Sequence, residues 1–304
     1  MRWEKRGLVI APGGRSGWAH SHAMLPVVEA PGHGDVRVYY ATRDGEGRSQ
    51  VTRVKLRLPP DGSAPVSTDE QDPVVAFGPR GAFDDRGASC SALVEDGGRH
   101  YLYYTGWSIG TTVPFYVFVG CAVSEDGGRK FEKVSPSPIL ERNRVDPFLT
   151  GHPAVLLDEG RWRMWYASGT GWSMVDGKPR HHYHVKYAES SDGIEWRRDG
   201  HVCIDYSGPD EYAIGRPFVV RDQDCYRMWY SYRGDAYRIG YAESADGMVW
   251  QRKDSEAGIG VSADGWDSKM VSYPAVFDLG GRRWMLYNGN DYGQTGIGLA
   301  QQVG

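Results

Sequence analysis

Two stretches of the chain, GHPAVLLDEGRWRMWYASG (151–169) and GRPFVVRDQDCYRMWYSYR (215–233), align without a gap. Each holds an apolar run, a polar turn and an aromatic run in which apolar and polar positions alternate, which predicts two antiparallel strands joined by a hairpin. The segments that follow, HVKYAES (184–190) and YRIGYAES (237–244), supply a third strand. An Asp-Gly tight turn then leads into IEWRRDG (194–200) or MVWQRKD (248–254), a fourth strand. The turn recurs in YAESSDGIEW (187–196) and YAESADGMVW (241–250), and again in CAVSEDGGRKF (121–131), where Ser124, Asp126, Gly127 and Phe131 keep the same order. Four short strands per unit is the repeat of a propeller blade. Ser and Asp of the turn are expected to bond turn amides, and the Trp or Phe to pack between neighbouring blades. Asp126, Asp192 and Asp246 are therefore read as structural.

Inner-strand anchors recur roughly every sixty residues, at SHAMLPVV (21–28), SCSALVED (89–96), GHPAVLLD (151–158), GRPFVVRD (215–222) and SYPAVFDL (272–279). They predict an all-β chain, a single five-bladed β-propeller over residues 1–304 with four antiparallel strands per blade. The last unit ends at TGIGLAQQVG (295–304), a third strand with no fourth. The opening RWEKRGLVIAP (2–12) is similar to FEKVSPSPIL (131–140) and EWRRDGHVCI (195–204). Residues 2–12 are thus expected to form the outer strand of the fifth blade, which removes an exposed edge and ties down both termini.

Composition agrees with this picture. With 11 Trp, 19 Tyr and 41 Gly in 304 residues, the chain suits short strands joined by tight turns. Charges of both signs are interspersed around a formal net charge of -4. They leave no basic footprint for nucleic acid or an anionic membrane surface. Cys90, Cys121, Cys203 and Cys225 form no CxxC pair, so they suggest buried thiols rather than a zinc spacing or a disulfide framework. MRWEKRGLVIAP has no apolar run of signal-peptide length and no window approaches a membrane span, which makes a cytoplasmic location the expectation. The sequence assigns no oligomeric state.

Five predicted blades, polar residues on the inner strands and the repeated A-x-S-x-DG-x-x-W turn resemble the five-bladed propeller glycosidases. These are the arabinanases and xylosidases of glycoside hydrolase family 43, the fructosidases of family 32, and their mannoside-phosphorylase and anhydrogalactosidase cousins. Sialidases share a similar turn, usually Ser-x-Asp-x-Gly-x-x-Trp on six blades. Here Gly directly follows Asp and five units are counted, which ranks that reading lower. The resemblance implies hydrolysis of a glycosidic bond of a carbohydrate or glycosylated small molecule in a central funnel. It implies a carboxylate base or nucleophile on blade 1, an orienting Asp on a middle blade and a carboxylic acid donor on another.

Side chains just before or early in each innermost strand converge on a propeller's axis. Those positions give His20 and His22 in the first unit, then Asp84, Asp85 and Cys90, then Asp146 and His152. The fourth unit gives Asp210, Glu211 and Arg216, and the fifth Asp264, Asp267 and Tyr273. Asp85, Asp146 and Glu211 are the candidate catalytic carboxyls. Blade 1 departs from the family pattern, because WAHSHAM (18–24) stands where an Asp is expected. Either His22 or His20 takes an acid/base role there, or the family's chemistry is lost or altered.

Trp18, Trp107 and Trp172, in loops, are candidate sugar-stacking platforms. Arg43, Arg216, Tyr273 and Asn290 are candidate donors to substrate hydroxyls or a carboxylate, and His20, His152 and Asp267 complete the binding set. The repeat-equivalents of Arg216 are His, Cys or Tyr, so the fold does not demand a cation there. A buried axial guanidinium wants an anion, and Glu211 is expected ahead of an acidic substrate. In PRHHYHVKY (179–187), alternation puts His182 and His184 on one face, spaced like metal ligands or sugar contacts. With His22 and His152 near the axis an axial metal ion stays open, although no cofactor is required. Two further function classes stand beside hydrolysis. One is a propeller that binds a sugar or protein partner without turnover, favoured by the missing blade-1 Asp; the other is a transferase, phosphorylase or lyase on the same fold.

Overall fold

The computed structural model describes residues 1–13, 17–29, 35–59 and 65–303. Gly304, the last residue of the expected terminal strand, lies outside the described residues. Twenty strands make up nearly all the regular structure among the described residues. After β1 (Trp3–Ile10), the first meander contains β2 (Ser21–Glu29), β3 (Asp35–Arg43), β4 (Ser49–Arg57) and β5 (Val66–Val75). The second contains β6 (Gly87–Asp96), β7 (Arg99–Ile109), β8 (Phe115–Ser124) and β9 (Glu132–Lys133). The third has β10 (Thr150–Asp158), β11 (Arg161–Val175), β12 (Lys178–Ser190) and β13 (Val202–Ile204). The fourth has β14 (Ala213–Arg221), β15 (Tyr226–Arg233), β16 (Tyr237–Ser244) and β17 (Gln251–Arg252). The last comprises β18 (Ser272–Leu279), β19 (Arg282–Asn288) and β20 (Ile297–Gln302), with β1 lying antiparallel on β20 from Trp3 opposite Gln302 to Ile10 opposite Ile297.

Neighbours within a meander run antiparallel, while single parallel pairings join β4 to β6 and β12 to β14. The leading strands close a ring: β2 packs on β6, β6 on β10, β10 on β14, β14 on β18, and β18 back on β2. The chain is nearly all-β, as its alternation predicts, and β1 covers the edge that β20 would otherwise expose.

The repeated turn binds the units to one another. Ser190 Oγ accepts the N–H groups of Asp192 (3.1 Å) and Gly193 (2.9 Å). Asp192 Oδ1 accepts those of Ile194 (2.8 Å) and Glu195 (2.9 Å). Ser244 and Asp246 repeat the pattern, and the backbone N–H groups of Val249 and Met248 hold the Asp246 carboxyl below the usual range. The glycine carbonyls formed by these turns are gripped by the preceding unit. Tyr103 Oη donates to Gly193 O (2.7 Å), Trp165 Nε1 to Gly247 O (2.8 Å) and Tyr39 Oη to Gly128 O (3.0 Å). The aromatic residue that ends each motif stands edge-on to the same side chain: Trp196 to Tyr103, Trp250 to Trp165 and Phe131 to Tyr39.

This clamp has a steric consequence. Gly193 (φ +76) sits where an added Cβ would lie 2.7 Å from Tyr103 Oη and 2.9 Å from the Trp162 ring, whereas Gly177 (φ +73) has nothing within 4 Å. Gly177→Ala should therefore cost about 1 kcal/mol, the left-handed backbone term alone. Gly193→Ala should cost about 2 to 4 kcal/mol because it also overpacks the contact between units. Urea unfolding of the two variants checks this, and equal losses would contradict a tight clamp.

Candidate functional site

Each leading strand opens with a β-bulge. Pairing register breaks between Met24 and Val27, Cys90 and Ala92, Gly151 and Ala154, Gly215 and Phe218, and Ser272 and Ala275. Four of the bulges carry a left-handed residue just before a proline: Leu25 (φ 58), His152 (φ 48), Arg216 (φ 51) and Tyr273 (φ 56). In the second unit Cys90-Ser91 holds the same place. Such backbone costs about 1–3 kcal/mol per residue and persists only where its surroundings enforce it. Here the preceding unit does so at three positions. The N–H groups of Leu25, His152 and Tyr273 donate to Asn288 Oδ1 (2.8 Å), Thr105 Oγ1 (2.7 Å) and Ser231 Oγ (2.8 Å).

The heads of the strands meet at the centre. Cys90 Sγ donates to Leu25 O (3.1 Å), and Arg216 donates to Pro26 O (2.7 Å) and to Ser91 O. This corrects the expected register of the first unit, where Leu25 and not His22 is the counterpart of His152. The bulge at Leu25-Pro26 lies three residues beyond the first histidine match, so His22 falls earlier in β2, with Nδ1 against Ser21 Oγ (2.9 Å).

A cavity of about 320 Å³ lies at this centre, lined by Leu25, His152 and Tyr273 together with Arg43, Trp107, Phe115, His181, Tyr183, Tyr237 and Tyr292, among others. Among the described residues no carboxylate lines it. Burial, reinforced by Arg216 and His181, pushes the His152 imidazole down to about 3. Burial and then Arg43 push His22 down to about 4, against the opposing pull of Asp291. His181 is likewise held at about 4 by burial, with Arg233 the next cause. These imidazoles are neutral at pH 7. Burial lowers Arg216 to about 10, which leaves it charged there.

The acids are engaged elsewhere, in a repeated arrangement. Tyr104, Tyr166 and Tyr287 donate to Asp84 (3.1 Å), Asp146 (2.9 Å) and Asp267 (3.0 Å), each acid lying 20 residues before its tyrosine. A cation from the fourth-strand region completes each cluster: Lys133 on Asp84, Arg198 on Asp146 (2.9 Å) and Lys5 on Asp267 (2.6 Å). Asp146 is fully buried and also takes Ser168 Oγ (2.6 Å) and Lys186 Nζ (3.4 Å). In the fourth unit Arg252 holds both oxygens of Glu211 (2.8 and 2.9 Å) and also pairs with Asp254, the acceptor of Tyr230. Asp85 Oδ2 accepts the N–H of Gly81 (2.9 Å) within its own loop.

The expected convergence of Asp85, Asp146 and Glu211 on the axis is therefore absent, because each carboxyl is turned to a cation or to backbone. Nor does Glu211 meet Arg216. Arg252 takes it instead, and among the described residues Arg216 has backbone carbonyls as its hydrogen-bond partners.

The remaining candidates divide. Arg43, Trp107, His152 and Tyr273 are brought together at the cavity, with Trp107 Nε1 donating to Ser49 Oγ (2.9 Å). Trp172 is not a lining residue and packs edge-on to Phe115 and His181. It lies in β11 and Trp107 in β7, not in loops as expected. Trp18 and His20 precede β2 without lining the cavity, and the His20 N–H donates to Arg43 O (2.7 Å). Asn290 is buried and spent on backbone, accepting from Lys269 and Met270 and donating to Gly265. His182 bonds Ser173 Oγ (2.7 Å) and borders a separate groove that also includes Asp210 and Glu211, whereas His184 bonds Asp205 (3.0 Å). Among the described residues no group of three or more His, Cys, Asp or Glu side chains is placed to hold a metal ion. Sequence reading missed Phe115, Tyr183, Tyr237 and Tyr292. Tyr183 and Tyr237 each stand seven residues before the serine of the repeated turn, Ser190 and Ser244, a shared position that marks them as equivalents, whereas Phe115, nine before Ser124, matches His181, nine before Ser190.

No family model matches the chain. A Mycobacterium tuberculosis (strain ATCC 25618 / H37Rv) protein named "Uncharacterized protein Rv1502" is 44% identical over 301 residues, 99% of each chain. A solved glycoside hydrolase superposes with a TM-score of 0.76 at 18% identity, covering 99% of this chain and 91% of that one. A thermostable family-43 glycoside hydrolase gives 0.68 at 16% identity, covering 97% and 91%. The likeness establishes a propeller fold of the glycoside hydrolase type.

The buried imidazoles make stability depend on pH. Folded His152 takes up a proton only near 3, whereas the unfolded chain does so near the ordinary value of 6.5. Between these values the unfolded state binds more protons, so stability is complete above 6.5 and declines as pH falls. Urea midpoints should drop from about pH 7 to about 4.5, and His152→Gln should flatten the slope by about 1 kcal/mol per pH unit. An unchanged slope would contradict a buried neutral imidazole.

Proposed function

The chain belongs to the same protein family as Rv1502 of Mycobacterium tuberculosis, and on that premise we propose a carbohydrate-binding propeller that does not hydrolyse its ligand with a carboxylate pair. In this reading the five meanders are five blades of one domain spanning residues 1–304, with β1 as the outer strand of the fifth. The ligand, a carbohydrate or glycosylated small molecule, occupies the central cavity. Its volume lies at the lower end of small-molecule sites. The rings of Trp107, Phe115, Tyr183, Tyr237 and Tyr273 offer apolar faces suited to sugar C–H groups.

The observation that carries the reading is the identity of the five strand heads: Leu25, Cys90, His152, Arg216 and Tyr273. Glycosidic hydrolysis by two carboxyls needs them facing across the scissile bond at about 5 to 10 Å. No strand head is an acid, and Asp146 and Glu211 are held by Arg198 and Arg252.

A second reading, glycosidic-bond chemistry by a different pair, is favoured by one feature of the rim. His22 lies within electrostatic reach of Asp291, and both hold left-handed backbone (φ 62 and 53), the kind of strain that collects at functional sites.

Calorimetric titration with a glycan panel, run beside turnover assays on aryl glycosides with and without phosphate, separates these readings. Binding without turnover is expected, and it should survive in Glu211→Gln and Asp85→Asn. Asp146→Asn should lose about 3 kcal/mol of stability, because it strips Lys186 and Arg198 of their buried partner. Turnover that falls about 1,000-fold in folded Glu211→Gln or Asp85→Asn would overturn the proposal. Turnover lost only in His22→Gln and Asp291→Asn would establish the second reading.

A further inference from the structure

We propose that the ligand of the central cavity carries an oxyanion, a carboxylate or a phosphoryl group, and that Arg43 receives it. The proposal rests on the carbohydrate reading above and narrows it to a substrate class. Arg43 ends β3 and lines the cavity. Its Nε is buried without a hydrogen-bond partner. Four other half-buried arginines are matched by carboxylates, Arg37 with Glu29, Arg48 with Asp44, Arg252 with Glu211 and Arg283 with Asp222, while Arg233, whose Nε is also unpartnered, donates to Tyr292 Oη and does not line the cavity. Arg43 has no such carboxylate among the described residues.

The groups around it do not supply the missing charge. Tyr273 and His22 are its titratable neighbours, and neither is anionic at neutral pH. Asp291, within electrostatic reach of His22, is exposed and is not a lining residue. Deeper at the axis lies Arg216, whose Nε is also buried without a partner and whose other nitrogens, among the described residues, meet the dipoles of Ser91 O and Pro26 O. The Arg43 guanidinium thus faces a cavity that no carboxylate lines among the described residues, with the fully buried charge of Arg216 nearby at the axis, and a neutral sugar would leave the Arg43 charge uncompensated. A planar guanidinium matches a carboxylate or phosphoryl group through paired N–H donors. The aromatic walls would then take the sugar ring to which that group is attached.

Calorimetry on matched ligands tests this: methyl glycosides of glucose, galactose and mannose, the corresponding uronides, the 6-phosphates, and inorganic phosphate. At least one acidic member should bind about 10- to 100-fold more tightly than its neutral parent, the range expected for a hydrogen-bonded ion pair. The preference should shrink in high salt, vanish in Arg43→Gln and return in part in Arg43→Lys. Thermal unfolding should be unchanged in both variants, since no hydrogen bond or ion pair of the Arg43 side chain is present among the described residues and its backbone bonds are kept. The uronide and phosphate arms identify the source of the anion. Equal binding of neutral and acidic partners, or a preference that survives Arg43→Gln, overturns the proposal while leaving the carbohydrate reading intact. Inorganic phosphate binding as tightly as every sugar phosphate overturns the claim that the anion is borne on a sugar. Absence of binding by the whole panel removes the carbohydrate reading and this one with it.

Discussion

The guanidinium of Arg216 lies across the centre of the ring and donates to backbone carbonyls of two other units, Pro26 O and Ser91 O. A buried cation is costly unless its hydrogen bonds are made, so the carbonyls must stay turned toward the axis. They do so because each strand head is bulged, and because Leu25, His152 and Tyr273 are pinned by side chains of the preceding unit. Cys90 completes the inner contact by donating to Leu25 O, and burial raises its thiol to about 12, which makes it a packing group rather than a nucleophile. The centre is therefore a rigid plug carrying positive charge, and the cavity is built on it.

Acids are distributed so as to leave that charge alone. Asp84, Asp146, Asp267 and Glu211 each neutralise a lysine or arginine from the fourth-strand region, in clusters that repeat from unit to unit. These clusters tie the loops before β6, β10, β14 and β18 to the strands behind them. The fold shared with glycoside hydrolases does not by itself carry their chemistry, which depends on the side chains that stand at the strand heads.

The alternation of apolar and polar residues was enough to read the inner three strands of the third and fourth meanders, although the fourth strand of the third lies at Val202–Ile204, beyond the expected 194–200. The similarity of residues 2–12 to other fourth strands was enough to read the closure by β1. The Ser-x-Asp-Gly turns were legible because their hydrogen bonds are local. The site was less legible for three reasons. Alignment on His22 hid the bulge, although four of the five heads announce it as a residue followed by proline: Leu25-Pro26, His152-Pro153, Arg216-Pro217 and Tyr273-Pro274. The acids looked catalytic one at a time, whereas the spacing of 20 residues from Asp84, Asp146 and Asp267 to Tyr104, Tyr166 and Tyr287 marks them as parts of a repeat. The choice of Arg252 over Arg216 by Glu211 depends on side-chain reach between strands, which periodicity does not encode.

Nitrogen-detected NMR of the arginine side chains, compared between the wild-type protein and Glu211→Gln, tests most directly whether the axis is free of carboxylates. The account predicts that Arg252 resonances move, that Arg216 resonances stay in place, and that the Arg216 Nη protons exchange slowly because they bond across the ring. A shift of Arg216 on loss of the Glu211 charge, or rapid exchange of its Nη protons, would contradict it.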